Sequence, residues 1–240
     1  MKRPVRIGFL VPPGNPTAEP EMIRLTPPGV TVHFTRMVAH GEAGAHAGQE
    51  ERNRTQLAHL DETIALLAMV KPNVIVMAHT ASSYTLGQKA EAELVARMEK
   101  LTGIPFLTAF GSVLKALEKL GVKRVALGAP YAHEAMLKGK AYLELHGLQV
   151  PGYGVLENVA NIYDETPERA YDLGKKIDTP DSQAIFLTGV GMPTLDMLQR
   201  LENDLGKPVI SSSSAMMWHA LRTAGVKTPI EGYGRLLSLP

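Results

Sequence analysis

The chain has 240 residues, a formal net charge of +1 and no cysteine. The missing cysteine excludes disulfides, thiolate metal sites and cysteine nucleophiles. Its basic residues are scattered, and no apolar run approaches the roughly 18 residues of a membrane span, so we expect neither nucleic-acid nor membrane binding. The eight histidines lack tight ligand spacing, so a metal site is not expected.

Short apolar runs alternate with segments of helical periodicity along the whole chain. The first run follows basic residues but is too short for a signal sequence, so we expect a cytoplasmic protein. The alternation predicts an α/β fold with parallel strands and helices on both faces. The predicted strands are residues 5–11, 30–37, 74–77, 104–108, 124–127, 148–155, 184–187 and 209–210. The predicted helices are residues 50–70, 88–101, 112–120, 131–145, 167–177, 195–205 and 215–223.

Two early loops carry possible functional signals. After the first strand, prolines and Gly14 either break the strand before a helix that opens near Thr17, or present Asn15 and Thr17 to a ligand. Residues 41–49 are rich in Gly, Ala and His, which predicts a flexible loop and a candidate lid.

The stretch from residue 72 to 87 is the strongest local signal. A buried strand at residues 74–77 is followed by a run of polar side chains that begins at His79. In open α/β sheets, ligands bind at the carboxyl ends of the strands. The run is therefore either part of a ligand site or a polar loop whose hydroxyls cap a helix from residue 88.

The chain also contains an internal repeat. Residues 103–108 and 206–211 share a Gly-x-Pro pattern, and each is followed by a helix and then by Gly-Val-Lys. Aligning the upstream strands places His79 opposite Gly189. The repeat predicts two related lobes, which we assign to residues 1–108 plus 215–240 and to residues 109–214.

Several segments resemble the aspartate/glutamate racemase superfamily, within it the branch of arylmalonate decarboxylase and maleate cis-trans isomerase. The resemblance implies two pseudo-symmetric lobes with four-stranded parallel sheets and an active site in the cleft between them. It also implies a small carboxylic-acid substrate, no cofactor, and a monomer or homodimer. The segments that carry it are Asn15-Pro-Thr-Ala-Glu-Pro-Glu, Thr194-Leu-Asp, Gly206-Lys-Pro-Val-Ile-Ser-Ser-Ser, Met217-Trp-His-Ala and Gly232-Tyr-Gly-Arg-Leu.

By the same resemblance, a ring of hydroxyl and amide donors would hold the substrate carboxylate while negative charge develops on it. Tyr131 matches a donor of that ring and is assigned as catalytic. Ala81 stands where the decarboxylase has a serine. The residues that the resemblance assigns to substrate binding are Asn15, Thr80, Ala81, Asn158, Gly189 and Val190.

The two positions that carry cysteine in the racemases are His79 and Gly189 here. An imidazole can give or take a proton near neutral pH, so His79 is assigned as the acid/base. One base facing a carboxylate pocket could support α-proton transfer, decarboxylation or elimination, and His79 could instead act as a cation. The hypotheses are therefore a lyase or isomerase that uses His79, a catalytically silent carboxylate-binding protein, and a histidine-based racemase, which Gly189 disfavours.

Overall fold

The computed structural model describes residues 3–240 and contains two four-stranded, wholly parallel sheets with helices on their faces. The strand orders are β2-β1-β3-β4 and β6-β5-β7-β8. This architecture confirms the predicted fold class. In chain order the elements are β1 (Val5–Val11), α1 (Ala18–Arg24), β2 (Val30–Arg36), α2 (Gln49–Ala58), α3 (Leu60–Ala68), β3 (Val74–Met77), α4 (Ala81–Thr102), β4 (Phe106–Thr108), α5 (Ala109–Lys119), β5 (Val125–Ala129), α6 (His133–Leu145), β6 (Tyr153–Val155), α7 (Pro167–Ile177), β7 (Ala184–Leu187), α8 (Leu195–Leu205), β8 (Val209–Ser211), α9 (Ser212–Thr223) and α10 (Arg235–Ser238).

The internal repeat is visible in the hydrogen bonds as well as in the strand orders. In each lobe, a glutamate four residues before the helix-ending glycine accepts the N–H of the following strand. Glu99 accepts from Phe106 at 3.2 Å, and Glu202 accepts from Val209 at 3.0 Å. The same glutamate contact occurs at the same place in both halves. Two strand–loop–helix units that were similar only by chance would not be expected to share it.

The helices that follow the last strand of each sheet begin with matching caps. Thr108 accepts the N–H of Gly111 at 2.9 Å, and Ser211 accepts the N–H of Ser214 at 3.2 Å. Ser214 in turn accepts the N–H of Ser211, which completes a capping box. Ser211 and Ser214 of the serine run therefore cap α9.

Helices α5 and α9 pack against each other and connect the lobes. Phe110 of α5 stacks edge-on against Phe186 of β7 in the second sheet, with ring centroids 6.3 Å apart. Helix α9 contacts β3 of the first sheet. One continuous apolar core consequently spans both sheets. The division at residues 108 and 215 stays a prediction.

Several predicted boundaries were wrong. Helix α5 begins at Ala109 rather than at residue 112, α9 begins at Ser212 rather than at residue 215, and β6 begins at Tyr153 rather than at residue 148. Residues 50–70 form two helices that meet at His59, and β4 begins at Phe106 rather than at residue 104. The predicted loop after His79 is mostly helical, because α4 begins at Ala81 and only Gly87, with φ +76°, breaks it. The polar side chains at the start of α4 make hydrogen bonds to other side chains, as Ser82 does with His79 and Ser83 with Glu91.

In residues 3–240, no helix is both long and apolar enough to cross a membrane.

Candidate active site

Four loops at the carboxyl ends of inner strands converge between the lobes. They follow β1, β3, β5 and β7, the two central strands of each sheet. The β1 loop is tied to the β7 loop by the Thr17 hydroxyl, which donates to the Gly191 carbonyl at 2.9 Å. This is the position that the sheet topology favours for a ligand.

A buried cluster of hydroxyl groups lies at this junction. The Thr80 and Ser212 oxygens are 3.0 Å apart, and the Tyr84 and Thr188 oxygens are 3.1 Å apart. The Tyr131 hydroxyl lies within interaction range of both threonines, and burial raises its pKa, so it stays a neutral donor. Several uncharged donors in a site with little water can stabilise an oxyanion strongly.

His79 lies at the edge of this cluster, where it lines a cavity between the lobes. Its Nδ1 is 2.7 Å from the Ser82 hydroxyl oxygen. Burial, and secondarily the positive charge of Arg52, lowers the pKa of His79 to about 4. The imidazole is therefore neutral near pH 7, the form that can accept a proton, and this does not suit the alternative role of a permanent cation.

Gly189 has no room for a side chain. Its φ is +100°, and an added Cβ would lie 2.8 Å from Pro130 Cγ and 3.2 Å from the Tyr131 hydroxyl oxygen. The Tyr131 hydroxyl thus stands next to the space that a side chain at this position would use. The second cysteine position of the racemases is closed by the backbone as well as by the sequence.

We expect Gly189→Ala to lower the free energy of unfolding by about 1–3 kcal/mol, because the substitution combines a left-handed φ with a steric clash. Thermal unfolding followed by circular dichroism measures the loss. Gly121→Ala is the matched control, since Gly121 has φ +69° but an added Cβ meets nothing within 4 Å. Equal losses in the two variants would contradict a steric contribution at Gly189.

Asn15 has the structural role that the sequence left open. Its side-chain oxygen accepts from the N–H groups of Thr17 at 2.8 Å and Ala18 at 2.9 Å, which caps the start of α1. Within residues 3–240 its side-chain nitrogen has no hydrogen-bond partner, so the amide retains both N–H donors.

The remaining predicted residues fall into two groups. Ala81 and Val190 are buried beside the hydroxyl cluster, as part of the α4 start and the β7 loop. Asn158 is exposed and has φ +54°, so it lies apart from the buried hydroxyl cluster. Its neighbour Asn161 donates to the carbonyl of Ala43, a cavity-lining residue, at 2.8 Å. Among the predicted site residues, all of which lie in the described chain, His79 alone lines the cavity.

The lid segment, residues 39–48, lines one side of the cavity, and its movement as a lid stays a prediction. His46 Nε2 is 2.9 Å from the Pro130 carbonyl oxygen, and the Ile162 N–H donates to Gly44 at 3.0 Å. Both contacts join this lid segment to the opposite lobe. The free volume beneath it is about 40 Å³, enough for ordered water.

Glu21 makes a second link between the lobes. Its buried carboxylate accepts from the N–H groups of Thr194 at 2.7 Å and Leu195 at 3.1 Å, at the start of α8. Burial raises the pKa of Glu21, whereas these hydrogen bonds oppose that rise. The front motif from Asn15 to Glu21 therefore fixes the geometry of the cleft.

Most residues that line the cavity were not predicted from the sequence, and Arg52 and Gln56 on α2 are two of them. Both belong to a polar helix whose charged residues are typical of a solvent-facing surface. Nothing in the local pattern distinguishes Arg52 from Arg54, which is exposed. Only the position of the lid segment relative to α2 directs Arg52 and Gln56 inward.

Comparisons with known proteins agree with this geometry. The family model described as arylmalonate decarboxylase matches residues 7–237. Maleate isomerase from Geobacillus stearothermophilus is 26% identical over 254 residues, which covers 99% of each chain. Arylmalonate decarboxylase from Bordetella bronchiseptica is 35% identical over 173 residues, or 68% of this chain and 70% of the relative.

The fold similarity extends over nearly the whole chain. A crystal structure of maleate isomerase from Pseudomonas putida S16 with maleate superposes with a TM-score of 0.88 and 26% identity, and covers 98% of this chain and 97% of that one. The two-lobed arrangement is therefore shared with an isomerase that was crystallised with a dicarboxylate.

Proposed function

The chain belongs to the arylmalonate decarboxylase family, within the Asp/Glu racemase superfamily, and on that premise we propose that His79 acts as a proton-transfer acid/base in place of the missing cysteine. The protein is an isomerase or lyase of small carboxylic acids. The finer proposal is that it acts, without a cofactor, on the carbon next to a carboxylate. Cytoplasmic location and homodimerisation stay predictions.

The observation that carries the proposal is a neutral imidazole that lines the cavity next to a buried hydroxyl cluster. His79 has a pKa lowered to about 4, so its base form dominates at neutral pH. Thr80 and Tyr131 supply uncharged donors that can hold a carboxylate. A base and an oxyanion pocket on adjacent residues are the minimal equipment for chemistry at an α-carbon.

In the proposed reaction, one substrate carboxylate binds to the hydroxyls of Thr80 and Tyr131. His79 removes a proton from the adjacent carbon, and the electron pair of the C–H bond moves into the carboxylate to give an enediolate. The protonated imidazole then returns the proton to carbon. Loss of carbon dioxide from a second carboxylate would form the same enediolate, which His79 could protonate only after gaining a proton.

The catalytically silent alternative has one supporting feature. Neither cysteine position retains a thiol, yet the hydroxyl cluster is intact and buried. A racemase that uses two opposed bases is disfavoured, because Gly189 has no side chain and no space for one.

Proton NMR in D₂O with a panel of acids tests the proposal: phenylmalonate, methylmalonate, maleate, malate, aspartate and glutamate. We expect deuterium incorporation, isomerisation or decarboxylation of at least one acid by the wild-type protein. A panel without turnover, in which saturation transfer still detects bound acids, would favour the binding protein instead.

A further inference from the structure

We infer that Arg52, assisted by Gln56, binds a second carboxylate of the substrate, and that the substrate keeps this carboxylate through the reaction. The inference rests on the proposed function, since it concerns the same cavity. It assigns the second carboxylate to residues outside the hydroxyl cluster and narrows the reaction to proton transfer.

Arg52 is an uncompensated cation at the cavity. Within the described chain, it is the one cavity-lining residue with a permanent charge, and no carboxylate pairs with it there. Its guanidinium donates instead to the carbonyls of Ala45 and Ala47 in the lid segment. Two carbonyls use two of five N–H groups, so donors remain for a planar anion such as a carboxylate.

Gln56 is the second, independent sign of a ligand. Its side chain is only 4% exposed and lines the same cavity, yet within residues 3–240 its amide oxygen has no hydrogen-bond partner. A buried amide without a partner is costly, which indicates that a ligand or water completes it. Rotation of the amide by 180° presents its NH₂ group to an anion instead.

Arg52, Gln56 and His79 line the same cavity, and His79 directly precedes Thr80 of the hydroxyl cluster. The positive charge of Arg52 also acts on His79, where it helps to lower the pKa of the imidazole. A carboxylate on Arg52 would thus share the cavity with His79, while the other carboxylate occupies the Thr80–Tyr131 pocket.

The charge on Arg52 also discriminates between reactions. Decarboxylation turns a carboxylate into neutral carbon dioxide as the C–C electron pair stays on the substrate. A cation bound to that carboxylate stabilises the reactant and loses its partner in the transition state, so it raises the barrier. Proton transfer leaves this carboxylate charged throughout, and Arg52 then stabilises reactant and transition state alike.

Matched acid pairs and Arg52 variants test the inference. We expect maleate to bind the wild-type protein more tightly than isocrotonate, which lacks one carboxylate. We expect Arg52→Met to weaken maleate binding by about 10- to 100-fold, the range of a charge-assisted pair. Isocrotonate binding should change less than threefold. Arg52→Lys should recover part of the lost affinity for maleate. Gln56→Leu should weaken the binding of maleate but not that of isocrotonate.

Isothermal titration calorimetry measures these affinities, and Arg54→Met is the matched control because Arg54 is an exposed arginine on the same helix. An unchanged preference for maleate in Arg52→Met would overturn the inference. So would release of carbon dioxide from phenylmalonate or methylmalonate by the wild-type protein, although the proposed function would then stand. Binding that depends on Arg52 without any turnover would support the subsite while removing the enzymatic proposal.

Discussion

Replacing His79 with alanine is expected to lower kcat/KM by about 10²- to 10⁴-fold, the usual contribution of a positioned acid or base. The hydroxyl cluster of Thr80 and Tyr131 does not depend on the imidazole, so substrate should still bind. The loss should therefore appear in kcat more than in KM. Deuterium exchange into the best acid of the panel, followed by NMR at several substrate concentrations, separates the two constants.

His219→Ala is the matched control for this variant. His219 is also a partly buried histidine with a pKa lowered to about 4, and its Nδ1 is 3.1 Å from Ser112 Oγ, away from the cavity. We expect His219→Ala to change stability but leave kcat/KM within about twofold. Comparable turnover in the His79→Ala and wild-type proteins would remove His79 from the mechanism.

The pH dependence of the reaction follows from the same residue. A base must be neutral, and His79 has a folded-state pKa of about 4, so kcat/KM should rise with pH through about 4 and level off above it.

The free energy of unfolding should also rise with pH over the acidic range. Between pH 6.5 and 4 the unfolded chain binds the proton and the folded protein does not, so acidification through this window lowers the free energy of unfolding. His79→Ala should reduce that slope in urea titrations at each pH.

Sequence periodicity predicted the fold well because the strands are buried on both faces. All residues of β3 and β7 are buried, and each strand reads as a short, continuous apolar run between turns. The repeat could be recognised in the sequence because both lobes contain a helix-ending glycine followed by a strand, in the same order. Boundaries failed where tertiary hydrogen bonds replace local ones, as where Ser83 donates to the buried carboxylate of Glu91 at 2.5 Å inside α4.

The candidate site was only partly predictable. His79 follows a buried strand, and its place at the carboxyl end of that strand is fixed by topology, which the sequence encodes. Arg52 and Gln56 lie on α2, where the helical pattern alone assigns polar residues to solvent. Their inward position depends on the lid segment packing across the opposite lobe, as in the contact of His46 with the Pro130 carbonyl. No spacing rule within α2 contains that information.

The conformation of Gly189 was equally invisible in the sequence. A glycine in place of a cysteine suggests a lost side chain, and the structure adds that the backbone excludes one, with Pro130 and Tyr131 in the way. A thiol therefore cannot be restored here by one substitution without moving the loop. The Tyr131 hydroxyl lies 3.2 Å from where a Cβ at this position would be, so in the proposed reaction it is the candidate donor from the second lobe.

Tyr131→Phe is accordingly expected to lower kcat by about 10²- to 10³-fold, the effect of removing one preorganised donor from an oxyanion pocket. The phenol is buried, and burial keeps its pKa above the ordinary value, so it donates a hydrogen bond and does not ionise during turnover. Its donation matters most once the carboxylate has become an enediolate, because that state carries more negative charge. The loss should hence be larger in kcat than in binding, and it should not vary with pH between 6 and 9.

Tyr142→Phe supplies the comparison, since Tyr142 is another buried tyrosine of the second lobe whose hydroxyl donates to Glu91 outside the cavity. Both variants remove one buried hydroxyl and should lose stability, but only Tyr131→Phe should lose turnover. NMR exchange rates and thermal unfolding on the two proteins make that comparison directly. If Tyr131→Phe retained wild-type kcat, the carboxylate would have to be held by Thr80 and backbone amides without the phenol. The hydrogen-bond donors would then come from the first lobe and the β7 loop. The contact of the Tyr131 hydroxyl with the space beside Gly189 would have no part in stabilising the enediolate.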